Sequence, residues 1–459
     1  MGISGIFAAI LVLAALGTTF VYWITRDDKV ESFVIIVGYG LLCGLLGIPL
    51  LTRLVDVIGF PASFPVVASV AALLSCVFFV LGRRRAGASH AGMVGGDVPA
   101  EPQWDRLAII AVALLVALLA YRVYLLACEV VWNPLYPWDA TMHWATKTKV
   151  WFEHLELRPF LENADWLTAN SNEVYTDHHP GYPITIPLLQ LYMSSALGSW
   201  NDSLMNLPWV VCMLGLGAAF YSQARRVGAG PVLAMIFTYF LLSMPLLNTH
   251  VALAGYADLF LGACYCLALM ALHSWSIDRQ RSQALLAGFF ALSCLLVKNE
   301  GLFWALTLIP GVIVVLIPGK KAPLALVTML LLALLALFFF PQDVQVAGHS
   351  LSELRIFFRA AALEGTFDSI FVYDNWHLFG YVLVGLLLVS GMCNRGVFRD
   401  TAGVSMSLSA ALVLFLFLFL FTKYSGGAIR LTAVARISLQ LIPAFMFYSL
   451  LLTHSLLRR

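Results

Sequence analysis

Long apolar stretches recur along this chain at short intervals, and no other feature limits its fold so tightly. A bilayer core of about 30 Å takes roughly 20 apolar residues at 1.5 Å each. Runs suited to that task occupy residues 3–23, 33–51, 62–81, 107–127, 204–221, 232–247, 256–275, 284–297, 302–317, 324–340, 379–392, 404–421 and 437–453. A water-soluble domain is about 25% charged, whereas this chain is 61% hydrophobic and 11% charged. The sequence therefore predicts an all-α polytopic membrane protein.

The net charge of +2 comes from basic residues scattered at the ends of these runs. That leaves no electrostatic footprint for nucleic acid, which is not expected as a partner. Of the cysteines, only Cys128 lies near a long polar loop, so neither a disulfide framework nor zinc spacing emerges. The first run lacks a basic leader and a small-residue cleavage site, and is read as a retained span. Residues 1–82 form three N-terminal helices, and Arg83-Arg84-Arg85 opens a cytoplasmic linker over 83–106.

The apolar segment 184–199 is the one whose placement must be argued. If it spans, Arg225-Arg226, Arg279, Arg281 and Lys320-Lys321 cannot share a side with Arg83–Arg85. Read as an interfacial or re-entrant helix, it leaves thirteen transmembrane helices and an external N-terminus. The loops 128–203, 248–256, 298–301, 341–378 and 422–436 then all face the extracytoplasmic side, and membrane lipids are the expected partners of the spans.

Charge is otherwise scarce, yet the loop 128–203 gathers Asp139, His143, Lys147, Lys149, Asp177, His178 and His179 among Trp138, Trp144, Trp151 and Tyr182. The same expected side collects Asp258, Lys298, Glu300, Arg355, Arg359, Arg430 and Arg436. The run 284–297 rises only about 21 Å, so the Lys298-Asn299-Glu300 turn is expected to be recessed into the membrane. An ionisable pair there either lines a polar cavity or neutralises itself.

The motifs WDATMHWATKTKVWF, HHPGYPITIPLLQ, GYADL, KNEG and ARISLQLIP, in this order, resemble bacterial members of the GT-C glycosyltransferase superfamily. That group includes protein O-mannosyltransferases and lipid A aminoarabinose transferases. The likeness covers about residues 105–455, so that 107–459 reads as a GT-C-like transmembrane module with a large first extracytoplasmic loop containing interfacial helices. What the resemblance implies is an inverting glycosyltransferase of a bacterial cytoplasmic membrane, with its site on the extracytoplasmic side. It would move a sugar from a polyprenyl-phosphate-linked donor to an extracytoplasmic acceptor. Asp139 takes the family's catalytic acidic position, accepting the proton of the attacking hydroxyl. Lys147, Lys149, His178, His179, Lys298, Arg430 and Arg436 become candidates to bind the donor phosphate, and the motifs favour Lys298 and Arg436. Trp138, Tyr182, Asp258 and Glu300 are expected in support. Two features depart from the better-known members: Asp139 stands singly instead of in an acidic pair, and His-Pro-Gly-Tyr-Pro replaces a Pro-Pro pair.

Each assignment has a plainer counterpart. Asp139 suits a helix cap, the tryptophans suit an interfacial belt, and Arg355 with Arg359 suits anionic headgroups. No cofactor motif is present, and His178-His179 supplies at most half of a divalent-metal site. Against an enzyme stand a transporter or flippase for a lipid-linked sugar, which would show repeated halves and midplane charge, and a non-catalytic envelope assembly protein.

Overall fold

A computed structural model describes residues 2–26, 33–90, 105–317, 319–346, 348 and 350–458. Most of the expected linker, residues 91–104, lies outside the described residues. Helices account for nearly everything else, because in a bilayer only internal pairing satisfies the backbone. Among the described residues, eight helices are long and apolar enough to cross a membrane, and one bent pair passes the same test together. The chain is a polytopic helical membrane protein, and by compactness it divides into two units.

The first unit, Met1–Ser243 with Asn248–Phe260, begins with α1 (Ile3–Thr25), α2 (Phe33–Val57), α3 (Phe64–His90) and α4 (Arg106–Trp132). A helical turn of π type over Ala140–Ala145 leads into α5 (Thr146–His154). Next come β1 (Phe160–Leu161), α6 (Asn163–Thr168) and β2 (Tyr175–Thr176), the two strands pairing in parallel with Phe160 opposite Tyr175. Then follow α7 (Thr185–Leu197), α8 (Pro208–Arg226), α9 (Pro231–Leu242), the greater part of α10 (Pro245–Ala252) and the start of α11 (Asp258–Asp278). Proline opens α8 and α9, where its missing N–H costs nothing. The run 232–247, expected as one span, bends by 59° between α9 and α10. Pro245 is the cause, since it donates no hydrogen bond and keeps Met244 out of the helical region.

Close backbone approach holds this unit together. A Cβ at Gly17 of α1 would overlap the Gly40 carbonyl of α2, and one at Gly44 would strike the Leu13 carbonyl. Small residues at such crossings permit the tight packing that membrane helices rely on. Helix α7 is buried at every residue except Ser195. It packs on α1, α2, α3 and α5, Tyr192 donates to the Ala9 carbonyl (3.2 Å), and Ser195 accepts from the Phe64 amide (2.7 Å). A helix lying on a bilayer surface would keep one face open; this one is enclosed, as a re-entrant helix would be. The first three helices, set apart by sequence as an N-terminal piece, are thereby built into the same unit as the loop.

The second unit, Met244–Leu247 with Leu261–Arg459, holds the rest of α11, then α12 (Arg281–Val297), α13 (Gly301–Leu316), α14 (Lys321–Phe339), α15 (Leu351–Leu354), α16 (Ala361–Phe367) and α17 (Phe379–Cys393). It ends with α18 (Gly396–Asp400), α19 (Ala402–Phe421), α20 (Ser425–Ile429), α21 (Val434–Leu439) and α22 (Ile442–Leu457). Its most extensive packing joins α13 to α19, where Gly311 faces Gly403 and Ser407. Only 11% of the apolar window of α4 and 6% of that of α14 is buried within the protein. Their leucines and valines, such as Leu114 and Leu331, face outward, as lipid-exposed helices require.

Candidate functional site

Backbone pairing and one aromatic anchor shape the loop after α4. Trp151 is buried with Leu188 and Leu191 of α7 and Ala62 at the foot of α3, and its indole N–H donates to the Arg158 carbonyl (2.9 Å). Thr148 donates toward α7, with the Pro187 carbonyl and Gln190 Oε1 each 3.1 Å away. The α5 face is thus fixed on a buried helix. The β1/β2 ladder continues into the amide of Asp177, which donates to the Leu161 carbonyl (3.0 Å), and so brings Asp177 against that face.

Asp177 is the centre of the resulting cluster. Its carboxylate receives Lys147 Nζ on Oδ2 at 2.6 Å and His143 Nδ1 on Oδ1 at 2.6 Å, and Oδ1 also accepts the His179 amide (3.1 Å). Asp177 is 5% exposed and Lys147 1%. Burial by itself would push the Asp177 carboxyl upward. The hydrogen bonds from Lys147 and His143, the His179 amide and the Lys147 charge together outweigh it and hold the group below the ordinary carboxylate range.

Lys147 also donates to the His179 carbonyl (3.3 Å) and sits 5.8 Å from the Phe160 ring centre. Around it the rings of His143, His179 and Tyr182 gather with centroids 5.0–5.9 Å apart, and His178 adjoins His179 at 4.8 Å. Burial, then the charges of His143 and His178, push the His179 imidazole below its usual value, while Asp177 and Asp139 oppose that shift. Asp139 therefore acts electrically on this cluster. That shift favours the neutral imidazole, which offers a lone pair or a neutral N–H in place of the cationic charge expected of a phosphate ligand.

Asp139 stands half-buried at the head of the π-type turn, and its side chain makes no capping hydrogen bond there. The cap that sequence allows for this residue is not formed. Turns of π type are often found at functional sites, and here the turn carries buried His143 between Asp139 and Lys147.

The remaining expected residues fall elsewhere. Lys149 is exposed, 5.9 Å from the Trp200 ring centre, and Trp138 is 69% exposed. Asp258 is fully buried in the first turn of α11, where a carboxylate suits the helix dipole. Lys298, Glu300, Arg430 and Arg436 belong to the second unit. There Lys298, 5% exposed, pairs with Glu300 at 3.2 Å, which realises the self-neutralising alternative. The flanking α12 and α13 have 17 and 16 residues, still short of a full crossing. Arg430 is exposed, its Nε donating to the Gly426 carbonyl (3.2 Å), and Arg436 is half-buried on α21.

Two residues that matter most in this geometry, Asp177 and His143, are missing from the expected set. Their signal is their presence in the one charge-rich loop of a charge-poor chain, but 34 positions separate them and no helical or strand period links them. Among the described residues, no group of three His, Cys, Asp or Glu side chains is arranged to hold a metal ion. Compared with protein-family models, curated proteins and solved structures, the chain matches none.

Proposed function

We propose that this protein is a membrane glycosyltransferase that moves a sugar from a polyprenyl-phosphate-linked donor to an extracytoplasmic acceptor. The observation that carries the reading is Asp139: a half-buried carboxylate that makes no capping hydrogen bond and opens the turn carrying His143 into a buried Asp177–His143–Lys147 network. The sequence resemblance supports it by putting the family's catalytic carboxylate at the same residue. Asp139 takes the proton from the acceptor hydroxyl; the freed oxygen attacks the anomeric carbon, and its bond to the phosphate oxygen breaks. The lipid phosphate leaves with the electron pair, so the configuration inverts. Preorganised cations stabilise a leaving group of that kind.

This reading includes thirteen spans, an external N-terminus and residence in a bacterial cytoplasmic membrane. Eight long helices, one bent pair and the four shorter apolar helices Arg281–Val297, Gly301–Leu316, Phe379–Cys393 and Ile442–Leu457 sum to that count. Helix α7, 13 residues long, is not among these helices, which supports leaving segment 184–199 out of the count.

The experiment is sugar transfer by purified protein from polyprenyl-phosphate hexose and pentose donors. Asp139→Asn keeps the shape but loses basicity, and the expected loss is about 10²–10⁴ in rate with unchanged expression and insertion. Near-parental transfer by Asp139→Asn would remove that residue from the mechanism. No transfer from any donor by the parent protein sinks the enzyme and favours a flippase or an assembly role.

A further inference from the structure

A second site lies beside the Asp177 network. A half-open cavity of about 520 Å³ is lined by Thr146, Phe160, Trp166, Asn172, Tyr175 and Thr176, among others. That volume is within the range of small-ligand sites. Thr146 immediately precedes Lys147 and Thr176 immediately precedes Asp177, so two walls of the cavity are continuous with the two ends of the buried ion pair.

The lining selects the ligand. Three rings are held in fixed positions. Trp166 donates through its indole N–H to the Val174 carbonyl (3.1 Å) and remains 41% exposed. Phe160 and Tyr175 lie 5.7 Å apart across the strand pair, and the Tyr175 hydroxyl is tied to His154 Nε2 (2.8 Å). Between them stand neutral polar groups. The Thr146 and Thr176 hydroxyls donate inward, to the Thr141 carbonyl (2.8 Å) and Asn163 Oδ1 (2.6 Å), and keep acceptor capacity. The Asn172 amide is exposed and hydrogen-bonds no other described residue. None of the lining residues is charged, and neighbouring Lys147 is already neutralised by Asp177. An anion would find no cation here, and an acyl chain would meet hydroxyls and open water. A neutral sugar presents what fits: C–H faces for the rings and hydroxyls for the threonines and the amide.

We infer that this cavity is a subsite for a neutral saccharide on the acceptor, formed by Phe160, Trp166, Tyr175 and Asn172 next to the Asp177 network. The inference rests on the transferase reading for the word acceptor only. The donor's own sugar is one bond from a phosphate, and a pocket without an available cation is the wrong place for it.

The test is ligand-observed saturation-transfer NMR on the full-length protein in polymer-bounded lipid discs, because alkyl glycoside detergents would themselves occupy the cavity. The probes are methyl hexopyranosides and hexose disaccharides. At least one is expected to show transfer. Trp166→Ala and Asn172→Ala are each expected to weaken it about tenfold, equivalent to about 1.4 kcal/mol. Trp132→Ala, at a 75% exposed residue outside the cavity, leaves it unchanged. Asn172→Ala removes an exposed, unpartnered amide, so it retains the fold even where Trp166→Ala fails to.

Absence of transfer from every probe, or a signal that survives Asn172→Ala undiminished, overturns the subsite. A short-chain prenyl-phosphate hexose should leave the probe signal in place; displacement by it overturns the acceptor assignment. Saccharide binding that persists while the parent protein and Asp139→Asn are equally without transfer activity keeps the subsite and removes the transferase.

Discussion

Removing the carboxylate of Asp177 isolates a positive charge inside the protein. Lys147 is 1% exposed, and its other described contacts, the His179 carbonyl and the Phe160 ring, supply dipoles and no countercharge. Breaking a buried pair by deleting one member costs about 3–5 kcal/mol. For a unit of this size that corresponds to a melting shift of roughly 10 °C. We expect Asp177→Asn to lower the melting midpoint by about that much in fluorescence-detected gel filtration after heating. Lys147→Met combined with Asp177→Leu should recover most of the loss, since replacing a buried pair by apolar residues is often neutral. Glu300→Gln should cost less than Asp177→Asn, because the Glu300 side chain is 27% exposed against 2% for Asp177, so solvent already screens the Lys298–Glu300 pair. Asp177→Asn melting within 2 °C of the parent, or a double variant no better than the single one, would refute the idea that this ion pair is desolvated and holds α5 to β2.

Other outcomes follow from the same coordinates. Cysteines at Ser171 and Asn201 should be labelled by an impermeant maleimide from the outside, and those at Arg84 and Gly230 only from the inside; an inside Asn201 removes the thirteen-span topology. Gly230 is exposed with open space at its Cβ position, whereas Gln223 is fully buried and unsuitable for labelling. Lys298→Ala and Arg436→Ala should each weaken donor use by about 1.5–3 kcal/mol, with Arg359→Ala near parental; donor affinity unchanged by Lys298→Ala would leave that lysine as a partner of Glu300 alone. Stability should fall in two acid steps. His179 has a folded value below the unfolded 6.5 or so, so the unfolded chain takes up the proton first and stability declines as pH drops below about 6.5. Asp177 is likewise lowered, and its contribution, complete above about 4, is lost as pH falls through the folded value. His179→Gln should abolish the first step in a pH series of melting curves and leave the second.

Periodicity and length made the spans legible: the runs 3–23 and 404–421 became Ile3–Thr25 and Ala402–Phe421. Even the break at Pro245 has a readable cause, although hydropathy runs through it without interruption. Asp139 and the loop's concentration of charge were also visible. Pairings across distance were not. Asp177 meets Lys147 because a two-residue ladder returns the chain to α5, and such a ladder leaves no pattern in sequence. The resemblance makes Lys147 a candidate ligand for phosphate, but a buried lysine finds its counter-ion within the protein first. The segment 184–199 read as apolar without saying whether lipid or protein covers it, since both solvate leucine equally well.

That covering carries a consequence for biosynthesis. The helices enclosing α7 are α1, α2, α3 and α5, three of which leave the ribosome well before residue 185 does. Their groove therefore exists when the short helix emerges, and the Ala9 carbonyl waits for Tyr192. A protein trimmed to start at residue 107 would leave α7 with α5 but without α1, α2 and α3, so most of its buried apolar surface would lose its cover. Its Trp151 cluster would lose Ala62, and the Leu155 carbonyl and Leu157 amide would lose Ala62 and Asp56. A search for the smallest stably folded piece of this chain would have to keep its beginning.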